Sequence, residues 1–424
     1  YLAGAKDIYW TLAETPASEL TDDEKRFILT RFFDANWTNI VGKYPRYREL
    51  LTLRGEAADV GAISEAMERY TEQDFRDLQV WFNLAWFDPS FLEEEPLASL
   101  VEQGRDFRED QKAVIFDEAL RIMGEVVAIH RELQDSGQIE VTTTPYAHPI
   151  LPLIYNSDII EVNDPSGEVP PRYSYPNDVQ VHLQRAAERY QEDYGRPVRG
   201  MWPAEGSVSQ DIVRFVADAG FTWMASGEQT LARSLGIDDF TRNENDVIEQ
   251  PDLLYRPYYV NGREGQQMAI VFRDLRISDL IGFEYSGTPP QAAVDDFIGR
   301  IEAIKAALDE GDAEGPHLVS VILDGENAWE NYPNDGTAFL NGLYQALAEH
   351  ETIRTITPSE YLERFPEQRT IEDLWPGSWF SPDFATWIGE TEERVAWEYL
   401  ERVRRHLAQY DITYAVATLG TALT

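Results

Sequence analysis

Two carboxylates in this sequence stand where a chain could use them for chemistry. Glu205 sits in Met201-Trp-Pro-Ala-Glu-Gly-Ser-Val-Ser-Gln210, between the short apolar run Val198–Trp202 and a helical pattern. Asp324 is the first residue after a second apolar run, Leu318-Val-Ser-Val-Ile-Leu323. A carboxylate can attack as a nucleophile, hold a developing positive charge, or carry a proton as general acid or base. Two of them facing one substrate suit cleavage of a glycosidic bond, where one attacks or stabilises the sugar and the other protonates the leaving oxygen. Glu326 and Glu330, in Asp324-Gly-Glu-Asn-Ala-Trp-Glu330, rival Asp324. Asp274, after Met268–Phe272, is a third such carboxylate. It could orient Arg273, bind a substrate hydroxyl or form a structural pair.

These acids work together only if the fold brings strand ends to one rim. Strand-like runs appear at Ile139–Thr144, Val198–Trp202, Phe221–Ala225, Tyr255–Val260 with Met268–Phe272, Leu318–Leu323 and Ile353–Ile356. Helical patterns alternate with them, as at Ala113–Leu133, His182–Tyr190 and Ala292–Leu308, while Asp158–Tyr175 reads as a polar, proline-rich loop. Strand–helix alternation implies a parallel sheet. The nearly all-apolar Leu318–Leu323 run fits a strand covered on both faces. The number of units and the length favour an α/β barrel, whose active site lies where strands end and loops lead into helices. Capping boxes are expected at Thr21–Glu24, Ser207–Gln210 and Thr357–Glu360. The Ser207 box would start a helix with Ile212, Phe215, Val216 and Ala219 on its apolar stripe. Glu205 would then lie between strand end and helix start, on the rim. The competing reading is a helix-dipole partner. After about Pro366 helix is expected to dominate.

Composition narrows the partners. Asp and Glu number 76 against 36 Lys and Arg, for a formal charge of −40. Such a surface repels phosphate backbones and anionic lipid, so neither nucleic acid nor membrane is an expected partner. A salt-adapted host and an ordinary acidic enzyme explain the charge equally well. There is no cysteine, hence no disulfide framework. No run of about 18 apolar residues could span a bilayer. Tyr1-Leu-Ala-Gly4 reads as mid-chain sequence, so a missing signal peptide decides nothing, and a cytoplasmic location is favoured.

Aromatic rings that could stack on sugar faces are Trp81, Trp86, Tyr146, Trp202, Trp329 and Tyr332. Core packing is the competing reading for each. Trp329 could also supply the apolar surroundings that raise an acid's pKa. The six histidines show no metal-ligand spacing, so no metal and no cofactor are expected. There is no phosphate-binding glycine loop and no dinucleotide fingerprint. Glu140, in Gly137-Gln-Ile-Glu140, and His148, in Pro145-Tyr-Ala-His148-Pro149, could stand near a pocket.

Four segments together resemble glycoside hydrolase family 57. They are Gly137-Gln-Ile-Glu140, Trp202-Pro-Ala-Glu205-Gly-Ser, Asp324-Gly-Glu-Asn-Ala-Trp-Glu330, and Trp387-Ile-Gly-Glu390 with Ala396-Trp397. Their order, from about Trp10 to about Leu400, is far more specific than any one of them. The amylopullulanase and α-amylase branch looks nearest. The resemblance implies an incomplete (β/α)7 barrel over residues 1–365 and a C-terminal helical domain over 366–424. It implies a retaining enzyme on α-glucans with Glu205 as nucleophile and Asp324 as acid/base. Trp202, Glu140, His148, Tyr146, Asp274, Glu326, Trp329, Trp81 and Trp387 are the candidate substrate contacts, Trp387 reaching in from the helical domain. A 4-α-glucanotransferase or branching enzyme would use the same two carboxylates, and a glucan-binding protein without turnover is the rival from another class. The family's His-Gln-Pro motif occurs nowhere here, which reads as truncation upstream and a barrel lacking its first strand.

Overall fold

The computed structural model describes residues 1–165, 167–263, 265–326 and 329–410. By internal contacts the chain falls into two compact units. The first comprises Tyr1–Glu132, Asp279–Asp296 and Leu323–Ile353. The second comprises Leu133–Ser278, Phe297–Ile322 and Arg354 onward.

The first unit is helical among its described residues. Helices at Asp22–Arg31, Pro45–Arg54, Val60–Arg69 and Glu72–Leu84 begin where the sequence signals a start. Thr21 and Glu24 form the expected capping box, and Thr71 with Asp74 forms another. The aromatic run Leu78–Trp86 supplies the core-facing side of the Glu72–Leu84 helix, with Leu78, Val80 and Trp81 buried. At the core edge Arg46 is buried and forks onto Asp77 (2.8 Å), Asp74 (2.6 Å) and Glu49 (2.6 Å). Three carboxylates around one guanidinium satisfy a charge that would otherwise be costly to bury.

The second unit carries the sheet. Its five strands are β1 Gly200–Met201, β2 Trp223–Gly227, β3 Tyr258–Asn261, β4 Gln267–Arg273 and β5 Arg369–Ile371, in the order β1-β2-β4-β3-β5. β1, β2 and β4 run parallel, with Met201 beside Met224 and Met224 beside Ile270. β3 and β4 form an antiparallel hairpin. Every residue of β2 is buried, as befits a strand covered on both faces. Single parallel bridges extend the layer at both sides, Thr143 to Met201 and Ser320 to Arg273.

Several expected elements differ. Ile139–Thr144 and Leu318–Leu323 form no strands and pair with the sheet through single bridges alone. For the second, β3 already pairs with Gln267–Ile270 along that edge of β4, and the bridge to Ser320 forms beyond it at Arg273. Ile353–Ile356 forms no strand. A strand does occur after Pro366, where none is expected: β5 pairs in parallel with β3. Ser207 and Gln210 make no capping box. The Gln210 amide is taken by the Leu374 N–H (3.0 Å) and the Asn261 carbonyl (2.8 Å), and the Ser207 hydroxyl has no partner among the described residues. A short 3-10 turn, Gln210–Ile212, leads instead into the helix Val213–Asp218. Beyond residue 365 come β5, a loop and the helices Ala385–Ile388 and Thr391–Leu407. Residues 411–424 of the expected helical domain lie outside the described residues.

Candidate active site

β1 ends at Met201, and the next residues turn at once. Pro203 fixes an extended entry, and Ala204–Gly206 form a 3-10 turn. Glu205 occupies the left-handed region there, at φ 55°, ψ 28°. For a residue with a side chain this costs on the order of 1 kcal/mol, and such strain collects at functional positions. Gly206 follows at φ 57°, and a Cβ on it would press on the Trp379 backbone nitrogen at 3.0 Å. Only glycine allows the turn and the tryptophan to be this close.

That turn sets the carboxylate between two donors. Glu205 Oε1 lies 3.1 Å from His148 Nε2. Glu205 Oε2 accepts from the indole N–H of Trp379 at 3.3 Å, and its carbonyl accepts from the Trp379 backbone N–H at 3.2 Å. The Glu205 side chain keeps 32% of its surface exposed, so it is held yet reachable. His148 is also left-handed, at φ 55°. Its turn is anchored by His182, whose Nδ1 bonds the Tyr146 carbonyl, and by the Tyr146 N–H donating back to the His182 carbonyl at 3.2 Å. Burial pushes the His182 imidazole below its usual value, which favours the neutral ring.

Trp379 is fixed from three sides. Trp202 meets it edge-on at 5.3 Å. The Arg273 guanidinium lies over its ring at 4.4 Å, and Arg273 Nε donates to its carbonyl at 3.1 Å. Gly227, at the end of β2, packs directly on its backbone. Arg273 Nη1 also donates to the Ile322 carbonyl at 3.0 Å, two residues before Asp324. Beyond Trp379 the half-exposed Phe380 leads to Trp387 at 5.6 Å. The result is a carboxylate at a strand end, bonded by an imidazole and an indole and flanked by rings. It can hold a negative charge in one orientation against an electrophilic carbon.

Of the candidates, His148 bonds Glu205 and Trp202 packs on its partner Trp379, while Tyr146 lies in the turn that carries His148 and Trp387 connects to Trp379 through Phe380. Trp379 and the role of Arg273 go beyond the sequence reading. The only signal for Trp379 is the aromatic pair Trp379-Phe380 inside a Gly-, Ser- and Pro-rich stretch. Glu140 is placed elsewhere. It lies three residues before Thr143, whereas Glu205 lies four after Met201, the residue Thr143 pairs with. Glu140 meets Trp223 at the start of β2, whereas the Gly206 carbonyl accepts from Ser226 near the end of β2, so Glu140 and Glu205 stand at opposite ends of the strands. Glu140 accepts from the Trp223 indole (2.9 Å) and from the Ser359 hydroxyl and N–H, an anchoring role. Asp274 is 1% exposed. Its oxygens serve Tyr255 (2.7 Å), Arg242 and the Ile277 N–H, so it forms the structural pair and offers substrate nothing. Arg242 also binds Glu228 at 2.6 Å, whose carboxyl burial still pushes upward.

Trp81 is 1% exposed in the core of the first unit, stacked on Tyr44 with its indole N–H on the Gly104 carbonyl, so no face remains for a sugar. Tyr332 is likewise buried, donating to the Ile281 carbonyl. Asp324, Glu326 and Trp329 belong to the first unit. Asp324 and Trp329 are half-buried and Glu326 is exposed; Asn327 and Ala328, within the same motif, lie outside the described residues. Trp86 is 49% exposed.

A mostly parallel sheet with a strained carboxylate just past one strand end is the arrangement α/β barrels use for their sites. The comparisons with known proteins give the family. The sequence profile of glycosyl hydrolase family 57 matches residues 11–372, and the chain belongs to that family. It is 22% identical over 302 residues to a Methanocaldococcus jannaschii protein provisionally named alpha-amylase, covering 70% of this chain and 55% of that one. It is 20% identical over 374 residues to the 1,4-alpha-glucan branching enzyme TK1436 of Thermococcus kodakarensis, covering 73% and 52%. The chain thus spans about half the length of the curated relatives it matches. Among solved structures, the GH57-type branching enzyme of Pyrococcus horikoshii aligns with a TM-score of 0.53 at 16% identity, over 86% of this chain and 65% of that one. The TK1436 structure aligns with a TM-score of 0.51 at 15% identity, over 90% and 74%. These likenesses show the fold, the incomplete (β/α)7 barrel with a helical C-terminal region.

Proposed function

We propose that this chain carries the catalytic centre of a retaining α-glucan hydrolase of the α-amylase and amylopullulanase type. Glu205 carries the reading: a carboxylate in a strained turn at a strand end, bonded by His148 and Trp379 and still exposed. In the first step Glu205 attacks the anomeric carbon while Asp324 protonates the leaving glycosidic oxygen. The bond to the leaving sugar breaks and a glycosyl ester forms. In the second, Asp324 takes a proton from water, which attacks the same carbon and frees Glu205. His148 and Trp379 hold Glu205 in line for both steps. Trp202, Phe380 and Trp387 supply apolar faces for sugar rings. The charge of −40 fits a neutral polysaccharide and argues against nucleic acid as partner.

Transglycosylation, as in a 4-α-glucanotransferase or branching enzyme, is the second reading. It is favoured by the match to a branching enzyme, and it differs only in a sugar hydroxyl replacing water. Product analysis from amylose separates the two. New reducing ends support hydrolysis, and redistributed chain lengths or new branches without them support transfer. Inverted configuration in the first-formed product would refute the double displacement.

A further inference from the structure

The first unit contains a cleft of about 840 Å³ that none of the chemistry above uses. Lys43, Tyr44, Asp88, Asn334, Asp335 and Tyr344 are among its lining residues. Its size is in the range of clefts that hold organic ligands, toward the large end. One wall is strained in an unusual way. Asn334, Asp335 and Gly336 are consecutive left-handed residues, at φ 49°, 52° and 75°. A side chain at Gly336 would press on the Trp329 ring at 2.8 Å, so this wall is locked against the tryptophan of the Asp324–Glu330 motif. The strain presents Asn334 and Asp335 together at the cleft wall, and Lys43 Nζ reaches across to Asn334 Oδ1 at 3.0 Å. Tyr344, on the helix Thr337–Glu349, is 65% exposed.

The polar groups limit what can bind. Asp88, Glu93 and Asp335 outnumber Lys43, so an anion is disfavoured. No acid or histidine grouping able to hold a metal ion occurs among the described residues. A neutral molecule rich in hydroxyls fits, with carboxylates and amides accepting and donating at its edges and a ring on its apolar face. We infer that this cleft is a second carbohydrate site that holds an α-glucan chain, with Tyr344 as its platform. The choice of α-glucan rests on the function proposed above.

The test uses the whole chain and the variants Tyr344→Ala and Asn341→Ala, both on the exposed face of one helix. Retention in native gels containing glycogen is measured beside kcat and KM on glycogen and on maltopentaose. Tyr344→Ala is expected to weaken retention roughly tenfold, the scale of one lost aromatic contact. KM on glycogen should rise while maltopentaose turnover and Tm stay at parent values. Unchanged retention in both variants would overturn the inference. So would a parallel fall on both substrates, or equal retention by a β-linked glucan gel. If the parent neither cleaves nor rearranges any α-glucan, the proposed function fails. The cleft still stands or falls on whether Tyr344→Ala releases glycogen.

Discussion

Gly227→Ala tests how Trp379 is held without touching any group that would meet substrate. Gly227 has an ordinary φ of −96°, so alanine fits the backbone there. The obstacle is purely steric. An added Cβ would stand 2.7 Å from the Trp379 carbonyl carbon and 2.9 Å from its Cα. Carbon atoms rest at about 3.5–4.0 Å, so the Trp379 backbone must retreat by roughly 1 Å. Rotating a side chain cannot relieve a clash with main chain. The same carbonyl accepts from Arg273 Nε, and the same residue donates twice to Glu205. Overpacking of this kind costs about 1–3 kcal/mol, or roughly 2–6 °C in Tm for a chain of this size. The larger effect is on rate, since a 1 Å displacement of a positioning group can cost about a hundredfold. The assay is kcat/KM on a soluble malto-oligosaccharide beside a thermal melt. Gly299→Ala is the control. Gly299 lies inside the helix Pro290–Glu310, and an added methyl there would meet nothing within 4 Å. There alanine should stabilise by about 1 kcal/mol and leave the rate alone. A Gly227→Ala protein with parent rate and parent Tm would refute the account of how Trp379 is fixed.

His148→Ala removes one of the two side-chain partners of Glu205 and should lower kcat/KM by about a hundredfold with little change in the far-ultraviolet circular dichroism spectrum. His182 makes stability depend on pH. Burial holds its folded-state value below the ordinary 6.5 or so, and the unfolded chain therefore takes up the proton first. Its contribution is complete above about pH 6.5 and is lost as pH falls below that, with a slope of at most about 1.4 kcal/mol per unit. Urea midpoints between pH 5 and 7 should show this slope, and His182→Gln should flatten it. Trp81→Ala should cost about 3–5 kcal/mol in urea unfolding, as the loss of a core indole does, while maltopentaose turnover per folded molecule stays unchanged.

Much of this site was legible in sequence, for physical reasons. The apolar run Val198–Trp202 signals a strand, and Glu205 stands just past the end of β1. The two strands Tyr258–Asn261 and Gln267–Arg273 were legible because apolar runs flank a short stretch that opens with Asn261-Gly262. What failed depended on distant partners. The Ser207–Gln210 pattern looks like a cap, but Gln210 is engaged by Leu374 and Asn261, far along the chain. Leu318–Leu323 has strand composition, yet the edge it should pair with is half occupied by β3. Trp81 and Tyr332 show why an aromatic cannot be assigned from type alone, since the same ring serves core or sugar and only burial decides. Trp379 was invisible because its role comes from four contacts, with Glu205, Arg273, Trp202 and Gly227, all more than a hundred residues away in sequence.

The most direct test of the central claim is reducing-end release from amylose by the parent chain and by Glu205→Gln, under identical conditions. The glutamine keeps the shape of the side chain and its hydrogen-bonding reach but removes the nucleophilic charge. The account predicts that release falls by several orders of magnitude while Tm and glycogen binding remain close to the parent. Equal rates in the two proteins would contradict it.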